Sequence, residues 1–293
     1  MKKILVIGKN GYIANCFKNY MKQFPDYEVN LITACNDAWK LVDFKGYDAV
    51  YNTAGLTHND ARAGKEEEFY ALNADLPYDL ALKARKSQVS VFVNMSSSIV
   101  YGNMAVIGRK MIINPLTKPE PDSIYGKSKL EGEKRLESLK TEKFRVAIIR
   151  SPLVYGITAP DNVEKLIKYA LKMPIFPKLE NEVSMIYDED LCELVRLIVE
   201  NNAGGIYFPQ MDTYISTSQF VKDIAEAANH SICLTSIFNP ILRLFSYKML
   251  FIQKAFGNQV YDKKMSDIIT WEYRIVNYQE SIKRIVKAKN KRN

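Results

Sequence analysis

The chain has 293 residues, of which 47% are hydrophobic and 25% charged, and its formal net charge is +8. This size allows one large domain or two smaller ones around a sizeable core. The basic residues form no stripe interleaved with aromatics, which argues against nucleic acid as a partner. Two histidines and four scattered cysteines show no zinc-like spacing, so we predict no metal site and four buried, reduced cysteines.

No apolar run approaches the ~18 residues that a membrane-spanning helix needs, and the opening run at 1–7 is too short for a signal peptide. We therefore expect a cytoplasmic protein with no integral membrane segment. The apolar and aromatic segment 240–256 has basic residues interspersed and could lie on a membrane surface. We expect it instead to pack within a second, smaller lobe.

Short apolar runs alternate with helical patterns through the first half of the chain. We predict strands at 4–7, 28–33, 49–52, 91–95 and 145–149, and helices at 12–23, at 65–87 and from Tyr125 onward. Apolar runs that do not alternate and are separated by helices are typical of a parallel sheet covered on both faces. The fold class is therefore predicted as α/β, a Rossmann-type doubly wound parallel sheet.

Two parts of the chain depart from this regular pattern. The segment 103–123 is rich in Pro, Asn and Lys and is predicted to be a loop near the strand ends. Beyond residue 155 prolines become frequent, with a clear helix at 191–200. We predict a boundary near residue 155, between a first domain at 1–155 and a smaller C-terminal lobe at 156–293 that partly interleaves with it.

A glycine-rich turn follows the first predicted strand and opens the first helix. Gly8 permits the tight turn, Gly11 lets backbone approach a pyrophosphate, and the small Ala14 lets helix and strand pack closely. This context favours dinucleotide binding over a turn with no ligand. The candidate cofactor-binding residues here are Gly8, Lys9, Asn10, Gly11, Tyr12 and Ile13.

Tyr125 and Lys129 stand four residues apart at the head of a predicted helix. This spacing places both on one face, so the ammonium can lie beside the phenol and favour its ionised form. Such a pair can move a proton at neutral pH, as hydride transfer at an alcohol carbon requires. Alone the pair is a weak signal, and it gains weight from the glycine turn and from Ser97, which follows an apolar strand.

Five motifs in this order resemble those of extended short-chain dehydrogenase/reductases, the NAD-dependent epimerase/dehydratase family of nucleotide-sugar enzymes. The motifs are Gly8-x-x-Gly11-x-x-Ala14, Asn52-Thr-Ala54-Gly55, Ser96-Ser97-Ser98-Ile-Val-Tyr101-Gly102, Tyr125-x-x-x-Lys129 and Arg150-x-x-x-x-Tyr155-Gly156. The resemblance implies an NAD(P)-binding domain at 1–155 and a lobe at 156–293 that binds a nucleoside-diphosphate sugar. It also implies a homodimer.

The resemblance implies a role for each matching residue. Tyr125 is the acid/base on the C4 oxygen of the sugar, Lys129 binds the nicotinamide ribose, and Ser97 hydrogen-bonds the C4 oxygen. Other implied cofactor contacts are Ala54, Gly55, Pro152 and Leu153. Ser98 and Asn162 are implied substrate contacts, Asn162 at the diphosphate. Ser96 and Ser98 are also expected to cap the end of the strand.

The motifs narrow the reaction without deciding it. Dehydratases of the family carry an Asp-Glu pair after the catalytic serine or threonine, and here Ser98 and Ile99 stand there, which argues against a 4,6-dehydratase. A 4-ketoreductase and a 4-epimerase with retained NAD both remain open. We favour a reductase of UDP-4-keto-6-deoxy-hexosamines in surface polysaccharide biosynthesis. A non-catalytic dinucleotide sensor is a further alternative.

Two positions bear on cofactor and substrate choice. The second predicted strand lacks the acidic residue that binds the 2′-hydroxyl of NAD, and Lys9 could meet a 2′-phosphate, which slightly favours NADP over NAD for a reductase. Many relatives place an arginine for the substrate diphosphate where this chain has Val183. Lys178, Arg243 or Arg274 could replace it.

Overall fold

The computed structural model describes residues 1–57, 65–102, 110–246, 257–267 and 270–290. Twelve strands are found in these ranges: β1 Lys2–Ile7, β2 Tyr27–Ile32, β3 Ala49–Asn52, β4 Val91–Ser97, β5 Met111–Ile113, β6 Arg145–Ser151, β7 Leu153–Tyr155, β8 Ile175–Pro177, β9 Met185–Tyr187, β10 Gly205–Tyr207, β11 Cys233–Thr235 and β12 Gln259–Tyr261. The α-helices are α1 Tyr12–Met21, α2 Glu66–Tyr70, α3 Leu76–Lys86, α4 Ile124–Glu137, α5 Asp161–Lys172, α6 Asp188–Glu200, α7 Thr217–Ala227, α8 Asn239–Ser246, α9 Lys263–Asp267 and α10 Tyr278–Asn290. Shorter turns are 3₁₀ segments at Cys35–Leu41 and Ser98–Tyr101 and a π-helical turn at Ala71–Asp75.

Six parallel strands form the central sheet in the order β10-β6-β4-β3-β1-β2. The strand β1 pairs with β2 along one edge and with β3 along the other. The strand order therefore switches between β1 and β3, where parallel sheets leave a crevice at their carboxyl ends. The predicted fold class, a doubly wound parallel sheet, is confirmed.

Alternate residues of the strands face the two helical layers, as expected for a sheet buried on both sides. Ile4 and Val6 pack with α1 and α6 on one face. Leu5 and Ile7 pack with α3 and the end of α4 on the other. A separate apolar cluster joins α5, α7 and α10 to β7, β8 and β9.

Segments from beyond residue 155 take part in the central layers. The strand β10 extends the sheet beside β6, and α6 covers the same face as α1. The interleaving of two parts of the chain remains a proposal, as does the boundary at residue 155.

The helix predicted at 65–87 is interrupted by the π-helical turn Ala71–Asp75. Asn73 in that turn is 1% exposed and donates to Leu56 O at 3.1 Å and to Ser128 Oγ at 3.0 Å. The extra residue in the turn thus brings a polar side chain inward, which a simple helical period does not show.

Other expectations met different outcomes. The prediction of four buried cysteines was wrong for Cys35, exposed at the start of a 3₁₀ segment, and for Cys233, exposed at the start of β11, while Cys16 is half-buried. Of the predicted loop 103–123, residues 103–109 lie outside the described ranges, and β5 pairs in parallel with β12. Of the segment 240–256, the described part belongs to α8. Among the helices that the structure describes, none has the length and apolarity needed to cross a bilayer.

Candidate active site

The glycine-rich turn lies at the crevice between β1 and β3. Gly8 has φ of 121°, and a Cβ there would clash with Thr53 Oγ1, so only glycine fits without strain. Asn15 Nδ2 fixes the turn by donating to Lys9 O at 2.9 Å and to Gly11 O at 2.8 Å. Sequence reasoning missed this role of Asn15, since its partners are backbone carbonyl groups.

The helix α1 begins at this turn with Gly11 in the capping position. Among the described residues no side chain caps α1, and its first turn has no acidic residue. The first N–H groups of the helix and its positive dipole end therefore suit an anion. This geometry fits the pyrophosphate of a dinucleotide.

The glycine turn also touches the end of β2. The amides of Gly8 and Lys9 both donate to Ile32 O, at 2.9 and 3.0 Å. Lys9 is exposed, and Asp37, the first acid after β2, pairs with Lys40 at 2.8 Å. In the part of the chain that the structure describes, the end of β2 thus carries a basic neighbour and no acid of its own.

Lys129 is buried beneath the crevice, with 6% of its surface exposed. Its ammonium donates to Met95 O at 3.1 Å, two residues before Ser97 in β4. Burial lowers the pKa of Lys129 to about 8, and the nearby negative charge of Glu133 opposes this shift. The amine therefore titrates near physiological pH.

Gly55 lies directly against this lysine. A Cβ on Gly55 would be 2.5 Å from Asn73 Oδ1 and 2.8 Å from Lys129 Nζ. Asn73 Oδ1 is buried and accepts no hydrogen bond from the described residues. Gly55 was predicted as a residue that passes close to the cofactor, and the structure adds that its missing side chain makes room for Lys129. Sequence reasoning missed Asn73.

The start of α4 packs on the turn that follows β4. Ser123 caps α4 by accepting from Gly126 N at 3.1 Å. Gly126, the neighbour of Tyr125, approaches so closely that its Cβ would be 2.8 Å from Ile99 O. Lys129 faces the end of β4 through its bond to Met95 O, and Tyr125 precedes it by one helical turn on α4.

Ser97 rather than its neighbours caps the turn after β4. Its Oγ accepts from Ile99 N at 3.3 Å, and Ser97 has extended backbone angles. This bond uses an acceptor lone pair, so the O–H remains a donor. The expectation that Ser96 caps the strand end was wrong, because its Oγ donates to Glu133 instead.

A buried ion pair lies one helical turn below Lys129. Glu133 and Arg150 are 3% and 7% exposed, and Arg150 Nη2 lies 2.6 Å from Glu133 Oε2. Arg150 Nη1 also donates to the Tyr101 hydroxyl at 2.6 Å. Arg150 belonged to a recognised motif, but its partner Glu133 was not predicted.

A small cleft opens beside the end of β4 and brings three predicted residues together. It is lined by Ser98, Ile113, Pro152, Leu153, Ser184, Gln259, Val260 and Tyr261. Ser98, Pro152 and Leu153 were all assigned from sequence, whereas the β12 residues in this wall were not. Asn162, in the first turn of α5, is half-buried and is not among the residues lining the cleft as described.

Several other predicted residues occupy different surroundings. Tyr12 directs its hydroxyl to Asp188 Oδ2 at 2.8 Å, so this O–H is already engaged at the contact with α6. Ile13, a residue of α1, packs against the apolar cluster between the sheet, α1 and α6, whereas Asn10 is exposed. Ala54 donates its amide to Asn52 Oδ1 at 3.2 Å.

Val183 is buried in the apolar cluster of the C-terminal lobe and pairs with Ile215. Of the cations suggested as replacements, Arg274 is bound to Asp212 at 3.0 Å and to Gln210 O at 2.8 Å. The side chain of Arg243 lies outside the described residues. Lys178 lines an open cavity of about 930 Å³.

The crevice at the strand switch, the uncapped helix and the lysine-bearing α4 define a dinucleotide-binding protein of the doubly wound class. The family model described as "NAD dependent epimerase/dehydratase family" matches residues 4–208. The chain belongs to this family, as the motifs predicted.

Individual proteins of known name resemble the chain over most of its length. UDP-glucose 4-epimerase of Vibrio cholerae is 27% identical over 252 residues, covering 77% of this chain and 76% of that protein. A dTDP-4-dehydrorhamnose reductase from Clostridium acetobutylicum superposes with a TM-score of 0.73 at 20% identity, covering 98% and 99% of the two chains. A human epimerase family protein solved with NADPH gives 0.77 at 16% identity, covering 97% and 99%.

Proposed function

We propose that the chain is an NAD(P)-dependent enzyme acting at C4 of a nucleoside-diphosphate sugar, most specifically a reductase of a UDP-4-keto-6-deoxy-hexosamine in surface polysaccharide biosynthesis. The main support is the packing of α4 on the end of β4, with the Lys129 ammonium on Met95 O and Gly126 against Ile99. The cofactor supplies the hydride when bound at the glycine turn.

Tyr125 donates the proton that the C4 oxygen takes up on reduction. A positioned general acid of this kind contributes about 10²–10⁴-fold to the rate. Lys129 in its charged form stabilises the phenolate that remains on Tyr125. The Ser97 O–H donates to the same C4 oxygen and orients it, since its capping bond leaves the donor available.

The surroundings of Lys9 support NADP(H) as the cofactor. Its amide is bonded to the end of β2, and Asp37, the first acid after β2, forms an ion pair with Lys40. A lysine at this place attracts a 2′-phosphate, whereas the selection of NAD relies on an acid. Because a reductase exchanges its cofactor at each turnover, NADP(H) agrees better with reduction than with epimerisation.

The sugar is assigned to the mouth of the cleft of Ser98, Pro152 and Leu153, since the cleft itself, at about 10 Å³, has room for only about one water molecule. The nucleotide is assigned to the lobe at 156–293. Asn162 and Lys178 are the residues proposed for the diphosphate, Lys178 because its cavity offers a cation where Val183 offers none. A charge-assisted phosphate contact is worth about 1.5–3 kcal/mol. We also propose that the protein forms a homodimer.

A 4-epimerase is the second candidate, and the likeness to the Vibrio cholerae UDP-glucose 4-epimerase favours it. It uses the same three side chains but keeps its cofactor bound throughout.

One experiment separates these possibilities. One portion of the purified protein is denatured, and any nucleotide it releases is identified. A second, native portion is assayed with NADPH and a UDP-4-keto-6-deoxy-hexosamine, and separately with UDP-glucose and UDP-N-acetylglucosamine. NADPH consumption without tightly bound NAD supports the reductase. Retained NAD with interconversion of the C4 epimers supports the epimerase instead, and cofactor binding without turnover of any sugar supports a sensor.

A further inference from the structure

Three titratable side chains follow one another along α4 at intervals of one helical turn. Tyr125, Lys129 and Glu133 occupy positions i, i+4 and i+8, which share one face of the helix. Glu133 has no direct place in the proposed chemistry, yet it is among the most buried acids of the described chain, at 3% exposure. A charge so deeply buried needs strong partners.

Glu133 receives donors from two neighbouring strands. Ser96 of β4 donates to Oε1, and Arg150 of β6 reaches both carboxylate oxygens, with Nη2 at 2.6 Å and Nε at 3.1 Å from Oε2. Ser96 and Arg150 are themselves paired across β4 and β6. The carboxylate therefore fastens α4 to the strand position immediately before Ser97.

Arg150 is fixed from other directions as well. Its Nη1 donates to the Tyr101 hydroxyl at 2.6 Å, and Tyr261 donates to its carbonyl oxygen at 2.8 Å. The guanidinium also lies over the Tyr101 ring, 5.1 Å from its centroid. Glu133 thus binds to a rigid partner rather than to a mobile surface arginine.

The elements around Lys129 carry few other charges. Glu133 and Tyr125 come from α4 itself, Arg150 from β6 and Tyr101 from the 3₁₀ turn, while β4 offers a carbonyl group and the π-helical turn offers the neutral Asn73. Glu133 is the acid in this set. The negative charge of Glu133 favours the ammonium form of Lys129, whereas burial of the lysine disfavours it.

We propose that Glu133 is a positioning residue that keeps Lys129 in its charged form and holds α4 in register with the end of β4. This inference rests on the proposed function of Lys129. The ion pair with Arg150 balances most of the carboxylate charge, and the remainder stabilises the lysine ammonium. The Glu133–Arg150 pair therefore influences the protonation of Lys129 and also holds α4 against the sheet.

The test uses two variants that break the same ion pair from opposite sides. Glu133→Gln removes the negative charge but keeps an acceptor for Ser96, and should lower the titration midpoint of Lys129 by about one pH unit. Arg150→Gln removes the compensating cation and should raise that midpoint. A purely structural role would move both variants in the same direction or not at all.

The midpoint is measured by NMR titration of isotope-labelled lysine side chains in the full chain, with the Lys129 signal assigned by its loss in Lys129→Arg. Ser96→Ala, which removes a hydrogen bond from Glu133 but no charge, is the matched control and should leave the midpoint unchanged. An unchanged or raised midpoint in Glu133→Gln overturns the proposal, as does a lowered one in Arg150→Gln. If Glu133→Gln does not fold, Arg150→Gln decides alone, and a midpoint that is not raised overturns the proposal.

The pH profile of turnover should move with the same midpoints. If the NMR shifts occur but no variant, nor the native chain, turns over a nucleotide sugar, the proposed function fails while the electrostatic role of Glu133 stands. If turnover occurs but the midpoints do not move, the proposed function stands and the electrostatic role of Glu133 fails.

Discussion

At the scale of single residues, the cofactor preference depends on one exposed lysine. Lys9→Glu should reverse the preference, since it replaces a cation beside the end of β2 with the acid that selects the 2′-hydroxyl of NAD. We expect the affinity for NADPH to fall by at least about tenfold, a loss of roughly 1.4 kcal/mol, while that for NADH is kept or improved. Cofactor fluorescence titration measures both.

Lys18, an exposed lysine on α1, is the matched control. Lys18→Glu changes the net charge equally but lies in the last turns of the helix, away from the glycine turn. Equal losses of NADPH affinity in the Lys9 and Lys18 variants would mean that only overall charge matters, and the local assignment would fail.

A second residue-scale prediction concerns Gly55. In Gly55→Ala the new methyl group meets Asn73 Oδ1 and Lys129 Nζ, so the lysine must move away from the crevice. We expect turnover to fall by at least about tenfold, since small misplacements of reacting groups are costly. Steady-state kinetics with saturating cofactor measures this.

Gly46→Ala is the comparison variant. Gly46 has φ of 85° but a Cβ there meets no atom within 4 Å, so only a backbone cost of about 1 kcal/mol is expected. If Gly55→Ala keeps full turnover, Gly55 is not needed to make room for Lys129.

At the scale of elements, one of the contacts between α1 and α6 carries a pH dependence. Asp188, the first residue of α6, accepts from Tyr12 and is 7% exposed. Burial raises the pKa of Asp188 to about 6 and that of Asp190, two residues on, to about 7. Both values lie above the ordinary value for an aspartate, so the folded protein holds protons that the unfolded chain releases.

The direction of the pH dependence of the free energy of unfolding follows from these raised pKa values. The contribution of these groups to the free energy of unfolding is fully present below about pH 4 and is lost as pH rises through about 6 and 7. Asp188→Asn keeps an acceptor for Tyr12 without the charge. It should raise the free energy of unfolding by on the order of 1–3 kcal/mol at about pH 8 and by little at about pH 4.

Denaturant unfolding at the two pH values measures this difference. Asp79→Asn, on the exposed face of α3, is the control and should show no such pH dependence. If Asp188→Asn destabilises the chain equally at both pH values, the burial of this carboxylate does not govern the pH dependence.

Contacts between distant elements mark the limit of what the sequence could predict. The strands, the glycine turn and the start of α4 follow from local patterns, because each depends on periodicity or on a residue type with special backbone freedom. The bond between Tyr12 and Asp188 joins residues 176 positions apart. No local pattern signals such a pair.

The same limit explains the errors around the active site. Asn73 looked like part of a continuous helix, because a π-helical turn leaves the apolar period almost unchanged. Ser96 was predicted as a cap, since serines at strand ends usually bond to nearby backbone. Its actual partner, Glu133, comes from a helix that the register of β4 and β6 brings alongside.

At the scale of the whole molecule, we propose that chemistry and substrate recognition lie in different parts of the chain. The end of β4 and the start of α4 carry the residues proposed for proton transfer, whereas Pro152, Leu153 and β12 line the neighbouring cleft. The family match ends at residue 208, so the sugar specificity is proposed to depend on residues beyond it.

The most direct test of the central claim is the rate at which Tyr125→Phe consumes NADPH in the presence of a UDP-4-keto-6-deoxy-hexosamine, compared with the native chain. The phenylalanine ring preserves the shape of the site but cannot donate a proton. We predict unchanged NADPH affinity and a loss of turnover of about 10²-fold or more. Native-like turnover in Tyr125→Phe would contradict the account.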